Sequence, residues 1–366
     1  MLRKVDISVG FCYNKFIPNE RQIKKMYRFN SDYLEGAHPN ILDRLVKTNY
    51  EQTPGYGLDP ICDSAKEKIR AACGAPNAKV YFLVGGTQTN YAVLDSILRR
   101  YEGVLAAETG HVAVHEAGAI EYSGHKVLTV PGKDGKVDAE RARAYLEGFY
   151  ADGSWQHMVR PGAIYISHPS EYGTLYSKEE LAALRALCDE YGMRLFLDGA
   201  RLGYALASEG SDLTLTDIAS LCDVFYIGGT KVGALFGEAV VFTNPELGDA
   251  FFTEIKQHGA LLAKGRMLGI QFDELFTDNL YVRIADHAVK IAMRIKRELT
   301  AKGYQFYNDS YTNQQFLILS KEKLDSLEGK VALDDWGPYG DGMRLVRITT
   351  SWATGEQAVD TLLSLL

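Results

Sequence analysis

Four short apolar runs, at residues 163–167, 194–197, 224–227 and 239–242, constrain the fold of this chain more than any other feature. Each is nearly continuous rather than alternating, as expected of a strand buried on both faces. An amphipathic stretch over 178–191 separates the first two, and an earlier run at 80–84 lies between helical patterns at 63–73 and 87–101. Strand and helix taking turns predict an α/β fold, a mostly parallel sheet with helices on both faces. Ligands in such folds collect beyond the carboxyl ends of the strands, so the residues just after each run have the first claim on function.

The character changes after about residue 245. Helical segments are expected over 251–275 and 282–302, then a strand at 315–319, a Gly- and Asp-rich turn at 334–342 and a strand at 345–349. These elements predict a smaller C-terminal α+β domain, and 366 residues exceed what one core usually fills. The expected division is an N-terminal extension over 1–27 with no interpretable motif, a large domain over 28–250 and a small one over 251–366.

Charge and cysteine usage exclude several function classes. A net charge of −7 without a basic stripe argues against nucleic acid or an anionic membrane as partner, and leaves a small molecule. No run of 18 apolar residues occurs, and the first residues lead into no apolar segment ending in a small-residue cleavage site, so no secretory signal is expected. Five scattered cysteines, without a C-x-x-C pair, predict neither a zinc nor a redox site; they fit a reducing cytoplasm, and no metal is expected.

Three strand ends carry chemistry. The run at 80–84 meets Gly85-Gly86-Thr87-Gln88-Thr89-Asn90 and then a helix, where close backbone approach, exposed amides and the helix dipole favour a phosphate. An ordinary strand-turn-helix corner would read the same way. Asp198, in Leu197-Asp198-Gly199-Ala200-Arg201-Leu202, stands at the end of a buried strand, where a carboxylate must find a partner. That partner is either a pyridinium nitrogen, with Arg201 reaching a nearby anion, or Arg201 itself in a structural ion pair. Lys231 follows Gly228-Gly229-Thr230 in a small-residue turn that leaves room for a planar ligand. Burial beside cations is what would lower its pKa for imine formation, while a solvent-facing turn lysine is the bland alternative.

Taken with Phe29-Asn30-Ser31-Asp32 and Gly55-Tyr56-Gly57, these strings resemble the threonine aldolase and aromatic amino acid β-eliminating lyase family of fold-type I pyridoxal-phosphate-dependent enzymes. The Asp-Gly-Ala-Arg-Leu string, with a lysine 33 residues beyond Asp198, is its most specific part. The resemblance implies an aminotransferase-like fold and a cytoplasmic lyase that cleaves threonine or allo-threonine to glycine and an aldehyde. Lys231 would hold pyridoxal 5′-phosphate as a Schiff base, Asp198 its ring nitrogen, and Gly86, Thr87 and Thr89 its phosphate; Arg201 joins the cofactor-binding set. It implies further that His111 stacks on the ring and that Ser31 and Arg347 bind the substrate carboxylate, Arg344 being the structural competitor on the other strand face. Tyr56 would serve a neighbouring subunit's site, as would the segment Lys264-Gly265-Arg266, which implies a homodimer or homotetramer with shared active sites. The chain departs from the pattern in the loop at 167–173, where many members carry a histidine for the substrate β-hydroxyl and this sequence has Glu171 or Tyr172. Glu171, His168, His115 or a water stays open as the base. β-elimination from another amino acid, and a catalytically idle relative acting as a binding protein, are the competing readings.

Overall fold

A computed structural model describes residues 26–366; Cys12 and nearly all of the expected extension lie outside them. Strands β1 (Lys79–Leu83), β2 (Glu102–Ala107), β3 (Val127–Val130), β4 (Arg160–Ser167), β5 (Arg194–Asp198), β6 (Val224–Gly228) and β7 (Glu238–Phe242) form a seven-stranded sheet. Their order is β1-β7-β6-β5-β4-β2-β3, with parallel pairing throughout except where β7 runs against β1 and β6. The carboxyl ends of the other strands and the amino end of β7 therefore meet along one edge.

The continuous apolar runs have a direct physical cause. Leu195 and Leu197 of β5, with Phe225 and Ile227 of β6, pack into one core, and the alternate residues Phe196, Val224 and Tyr226 pack into a second core across the sheet. Both faces are covered, so the middle positions of these strands are apolar on both sides and polar residues stand at the strand ends. Helices α1 (Pro60–Cys73), α3 (Ala139–Ala151) and α4 (Lys178–Tyr191) cover the first face, and α2 (Gly86–Ile97) covers the second. Local chemistry fixes their ends. Asp59 accepts the N–H groups of Ile61 and Cys62 at the start of α1, and Ser177 with Glu180 forms a reciprocal capping box on α4.

The expected helix over 251–275 is two helices, Phe251–Gln257 and α5 (Arg266–Leu275), parted by a segment in which Gly259 takes φ 67°. The helix expected to reach Tyr101 ends at Ile97, where Leu98 turns extended. Helix α5 packs against α1 of the large sheet's unit. The next helix, α6 (Leu280–Ala301), joins the two units: Tyr281, Ala285 and Ala288 lie in the large core, whereas Ile291, Ile295 and Leu299 belong to a third core with the C-terminal helix α7 (Glu356–Leu365).

That third core lies against an antiparallel sheet of β8 (Gln305–Phe306), β9 (Gln314–Ser320), β10 (Asp334–Pro338) and β11 (Met343–Thr349), in the order β10-β11-β9-β8. The Gly- and Asp-rich segment expected to be all turn is a strand over its first half. A register shift between Asp335 and Gly337, with Gly337 at φ 117°, lets it pair with β11 despite its composition.

Candidate active site

The meeting edge of the large sheet encloses a cavity of about 210 Å³. Five of the seven strands contribute an end to its wall: Gly85 and Gly86 after β1, Glu171 after β4, Asp198 at the end of β5, Lys231 after β6 and Glu238 at the start of β7. A second lobe of about 550 Å³ shares Tyr33, His111, Glu171, Arg201 and Lys231 with the first, and extends to Asp334, Trp336 and Arg347 of the small sheet. Asp198 and Lys231 thus converge on one cavity.

Asp198 is only 4% exposed, and its carboxylate is completely satisfied. Oδ1 accepts from the Tyr226 hydroxyl and the Ala200 N–H, while Oδ2 accepts from the Tyr165 hydroxyl at 2.6 Å and Asn90 Nδ2 at 2.9 Å. Burial by itself would raise its pKa, but the charge of His111 and the bonds from Tyr165, Tyr226 and Asn90 outweigh it, so the group stays below its ordinary value. The strands must come close to hold this arrangement. A Cβ on Gly199 would sit 1.9 Å from the Tyr226 carbonyl oxygen, which leaves no residue but glycine after Asp198.

Asn90 also donates to Glu116 Oε1 at 2.7 Å, the oxygen that bonds His111 Nδ1 at 2.7 Å. Burial opposes protonation of His111, yet its bond to Glu116 and the charge of Asp198 raise its pKa overall. A continuous network therefore runs from the histidine on the wall to the aspartate on the floor.

Lys231 sits in the turn between β6 and β7, where Gly237, at φ 120°, accepts the N–H groups of Gly229 and Thr230. Its Nζ lies 6.0 Å from the centre of the Tyr33 ring. Burial and then the charge of Arg201 lower its pKa, against the opposing pull of Asp32, Asp198 and Glu238.

Arg201 does not pair with Asp198. Its Nε and Nη2 donate to Asp32 at 2.7 and 3.0 Å, and Asn313 donates to the same buried carboxylate at 2.9 Å. Glu171 Oε1 accepts from Ser167 Oγ at 2.6 Å and the His111 N–H at 2.8 Å, whereas Oε2 is buried without a hydrogen-bond partner. Burial, only partly offset by Ser167, raises the pKa of this carboxyl. Of the other candidate bases, His115 lines the second lobe, while His168 is buried, accepts the Tyr176 N–H and has its pKa pushed down to about 4 by burial.

Arg347 reaches the second lobe from β11. Its Nη2 contacts Asp334 Oδ2 at 2.7 Å, Nη1 donates to Gln314 at 2.8 Å, and the guanidinium carbon lies 5.1 Å from the centre of the Trp336 ring. Arg347 Nε and Ser31 Oγ are buried without partners. Arg344 instead pairs with Asp335.

Helix α2 begins at Gly85 with no side-chain cap, and Thr87 is exposed beside the cavity wall. Thr89 is fully buried and donates its hydroxyl to the Gly85 carbonyl at 3.0 Å, so it braces the turn from beneath. Tyr56 lies elsewhere in this chain, 41% exposed, with Lys256 Nζ 4.4 Å from its ring centre. The groups that sequence reasoning left without roles are Asp32, Asn90, Glu116, Tyr165, Tyr226 and Glu238. A tyrosine inside a buried strand, whose hydroxyl must bond something, was the available signal for Tyr165 and Tyr226.

Comparison with known proteins agrees with this geometry. Low specificity L-threonine aldolases of Pseudomonas sp. (strain NCIMB 10558) and Pseudomonas aeruginosa are 31% and 30% identical to the chain, each over 91% of it and 94% of the relative. A solved structure described as Leishmania major threonine aldolase is 43% identical, with a TM-score of 0.89 covering 93% of this chain and 98% of that one. An aspartate aminotransferase of Thermus thermophilus, at 18% identity, shares the fold with a TM-score of 0.69 over 93% of this chain and 92% of its own. Residues 29–322 match the model of the beta-eliminating lyase family, and with the strand-end acid, lysine and glycine turn all opening on one cavity, the chain belongs to that family.

Proposed function

We propose that this protein is a pyridoxal-phosphate-dependent aldehyde-lyase that cleaves a β-hydroxy-α-amino acid, threonine or allo-threonine, between Cα and Cβ to give glycine and an aldehyde. The observation that carries the reading is the convergence of Asp198 and Lys231 on one cavity beside an uncapped helix start. The similarity to proteins named threonine aldolase supports the substrate class.

The residues fit the cofactor. The first turn of α2, opened by Gly85 and Gly86, offers amides and a dipole to a phosphate, with the Thr87 hydroxyl beside them and Thr89 bracing the turn. A carboxylate held ionised, as Asp198 is, suits a protonated ring nitrogen, and His111, fixed by Glu116, supports the ring from the wall. When bound, pyridoxal phosphate supplies an electron sink for the pair of electrons released at Cα. Lys231 is the point of attachment, and its lowered pKa favours the neutral amine that attachment needs. Arg201, neutralised by Asp32, holds its place on the wall as part of the cofactor-binding set.

Arg347, which lines the second lobe, and Ser31 are the pair that orients the substrate carboxylate; the support is that Nε and Oγ are left without hydrogen-bond partners inside the protein. Orientation matters because the bond to be broken must align with the ring's π system. Glu171 takes the β-hydroxyl proton; its unpartnered Oε2 and a pKa raised by burial suit a general base. Tyr56 serves a second subunit's site in a cytoplasmic homodimer or homotetramer. Among the described residues, no helix is long and apolar enough to cross a membrane.

The test is a product assay with threonine, allo-threonine, phenylserine and tyrosine. Glycine and an aldehyde are expected; pyruvate and ammonia would move the assignment to β-elimination. Purified protein should also take up the cofactor and keep it after borohydride reduction. The Lys231→Ala variant should lose it, and retention there would end the assignment of Lys231.

A further inference from the structure

Tyr172, the residue beside the proposed base, has no part in the proposed reaction. It follows Glu171 in the loop after β4, a strand of the large sheet, yet its ring packs on the small one. The ring centre lies 5.4 Å from that of Trp336 on β10 in an edge contact, 5.8 Å from Phe316 on β9 and 5.7 Å from Tyr307 just after β8. Trp336 also meets Phe316 edge-on at 4.9 Å, and the guanidinium carbon of Arg347 stands over it at 5.1 Å. The backbone of the loop is fastened to the same side. Asn308 Nδ2 donates to the Tyr172 carbonyl at 2.8 Å, and Ser310 Oγ to the Gly173 carbonyl at 3.1 Å.

The far side of the ring is closed as well. A Cβ on Gly135, which takes φ 79°, would sit 2.7 Å from Tyr172 Cδ2. A Cβ on Gly173, at φ 71°, would meet Ser310 Oγ at 2.7 Å. The loop therefore has little room to shift in either direction. Glu171 is fixed at Oε1 by Ser167 and the His111 N–H, both from the large sheet's unit, whereas Arg347 belongs to the small sheet. Glu171, Trp336 and Arg347 all line the second lobe. A chain of direct contacts thus runs from Arg347 through Trp336 to Tyr172, whose backbone carries Glu171. Edge-on aromatic pairs and a cation over a ring each have a preferred geometry, so such a chain resists changes in spacing.

We propose that Tyr172 is a positioning residue that holds the base and the carboxylate anchor at a fixed spacing. Its ring braces Trp336 behind the Arg347 guanidinium, and its backbone sets the place of Glu171. A substrate gripped at its α-carboxylate then presents its β-hydroxyl to Oε2 without a search. The inference rests on reading Glu171 as the base and Arg347 as the anchor.

Steady-state kinetics of the holoenzyme with threonine test it. Tyr172→Ala should lower kcat about tenfold and raise KM about threefold, and Tyr172→Phe, which keeps the ring, should bring both to within about twofold of wild type. Two backgrounds decide what those losses mean. In Glu171→Gln, Tyr172→Ala should cost no further kcat, and in Arg347→Ala it should raise KM no further, because in each case the residue it positions is already gone. Full additive losses in both backgrounds would overturn the proposal, as would a Tyr172→Phe variant as damaged as Tyr172→Ala. Should Tyr172→Ala fail to fold, Trp336→Leu is carried through the same backgrounds. It should lower kcat in wild type but not in Glu171→Gln, although Trp336 lies on the Arg347 side; a change in KM alone rejects the brace. Glu171→Gln and Arg347→Ala variants that each turn over like wild type would instead reject the roles given to those two residues, and with them the spacing they define.

Discussion

Asp198 and Arg347, the charged residues proposed to face the cofactor and the substrate carboxylate, are built to different degrees of completion. Asp198, on the large sheet, receives four hydrogen bonds, has no unpartnered oxygen and is 4% exposed. Arg347, on the small sheet, leaves Nε without a partner and spends one arm on Asp334, whose side chain is 34% exposed. A finished shell suits a group that stays bound through many turnovers, because nothing has to rearrange around it. A shell with a free donor suits a ligand that arrives and leaves each cycle. Glu171 belongs to both regions, with one oxygen satisfied, the other free, and a place in the wall of both lobes.

The largest effect should come from breaking the finished side. Asp198→Asn keeps the shape but turns one acceptor into a donor that faces donors, and removes the charge proposed to face the cofactor's ring nitrogen. Turnover with saturating cofactor should fall about 10³-fold, and stability by about 1–3 kcal/mol in a denaturant melt, since buried donors lose their acceptor. A variant that melts normally and turns over within tenfold of wild type would mean that the four-bond shell is structural only.

At the boundary, Glu171→Gln should cost about 10²-fold in kcat/KM, within the usual range for a general base. The sign of its pH dependence follows from the raised pKa: a base must be deprotonated, so the wild-type rate falls as pH drops through a value above the ordinary carboxylate range. That acid limb should be missing from the pH profile of the variant. If it survives unchanged, the titrating group is another residue, with His115 next in line on the same lobe. On the unfinished side, Arg347→Ala should raise KM about 10- to 100-fold, the equivalent of one or two charge-assisted hydrogen bonds, with a smaller change in kcat and little change in melting.

The same division governs what could be read from the sequence. Asp198, Lys231 and the glycines at 85 and 86 were legible because each follows a buried apolar run, and in this architecture such positions share one edge. The donors that make Asp198 effective were not, because Tyr165 and Tyr226 are counted as apolar within those runs and Asn90 faces inward from a helix. Arg201 had an obvious candidate partner three residues away, but its partner is Asp32, brought in from 169 positions earlier. The small-sheet half was less legible still. Its strand β10 depends on a bulge and on Gly337, which a composition-based reading takes for a turn, and with that strand goes Asp334, the ion-pair partner of Arg347.

Asp334 provides the smallest and sharpest test. Its carboxylate already lies on the Nη2 arm of Arg347 at 2.7 Å and is steadied by Trp336 Nε1 at 2.8 Å. On the proposed reading, an α-carboxylate taken in a bidentate pair by Nε and Nη2 shares that arm with Asp334 or displaces it. Because Asp334 is about a third exposed, water screens the pair and its strength should not exceed about 1 kcal/mol. Asp334→Asn should therefore lower KM by at most about fivefold, leaving kcat and the melting temperature where they were. Asp335→Asn is the control, since Asp335 pairs with Arg344 rather than Arg347 and should leave KM unmoved. A rise in KM for Asp334→Asn would reverse the interpretation: Asp334 would then be holding the guanidinium in position for substrate, and the small-sheet side would be as finished, before ligand arrives, as the floor beneath it.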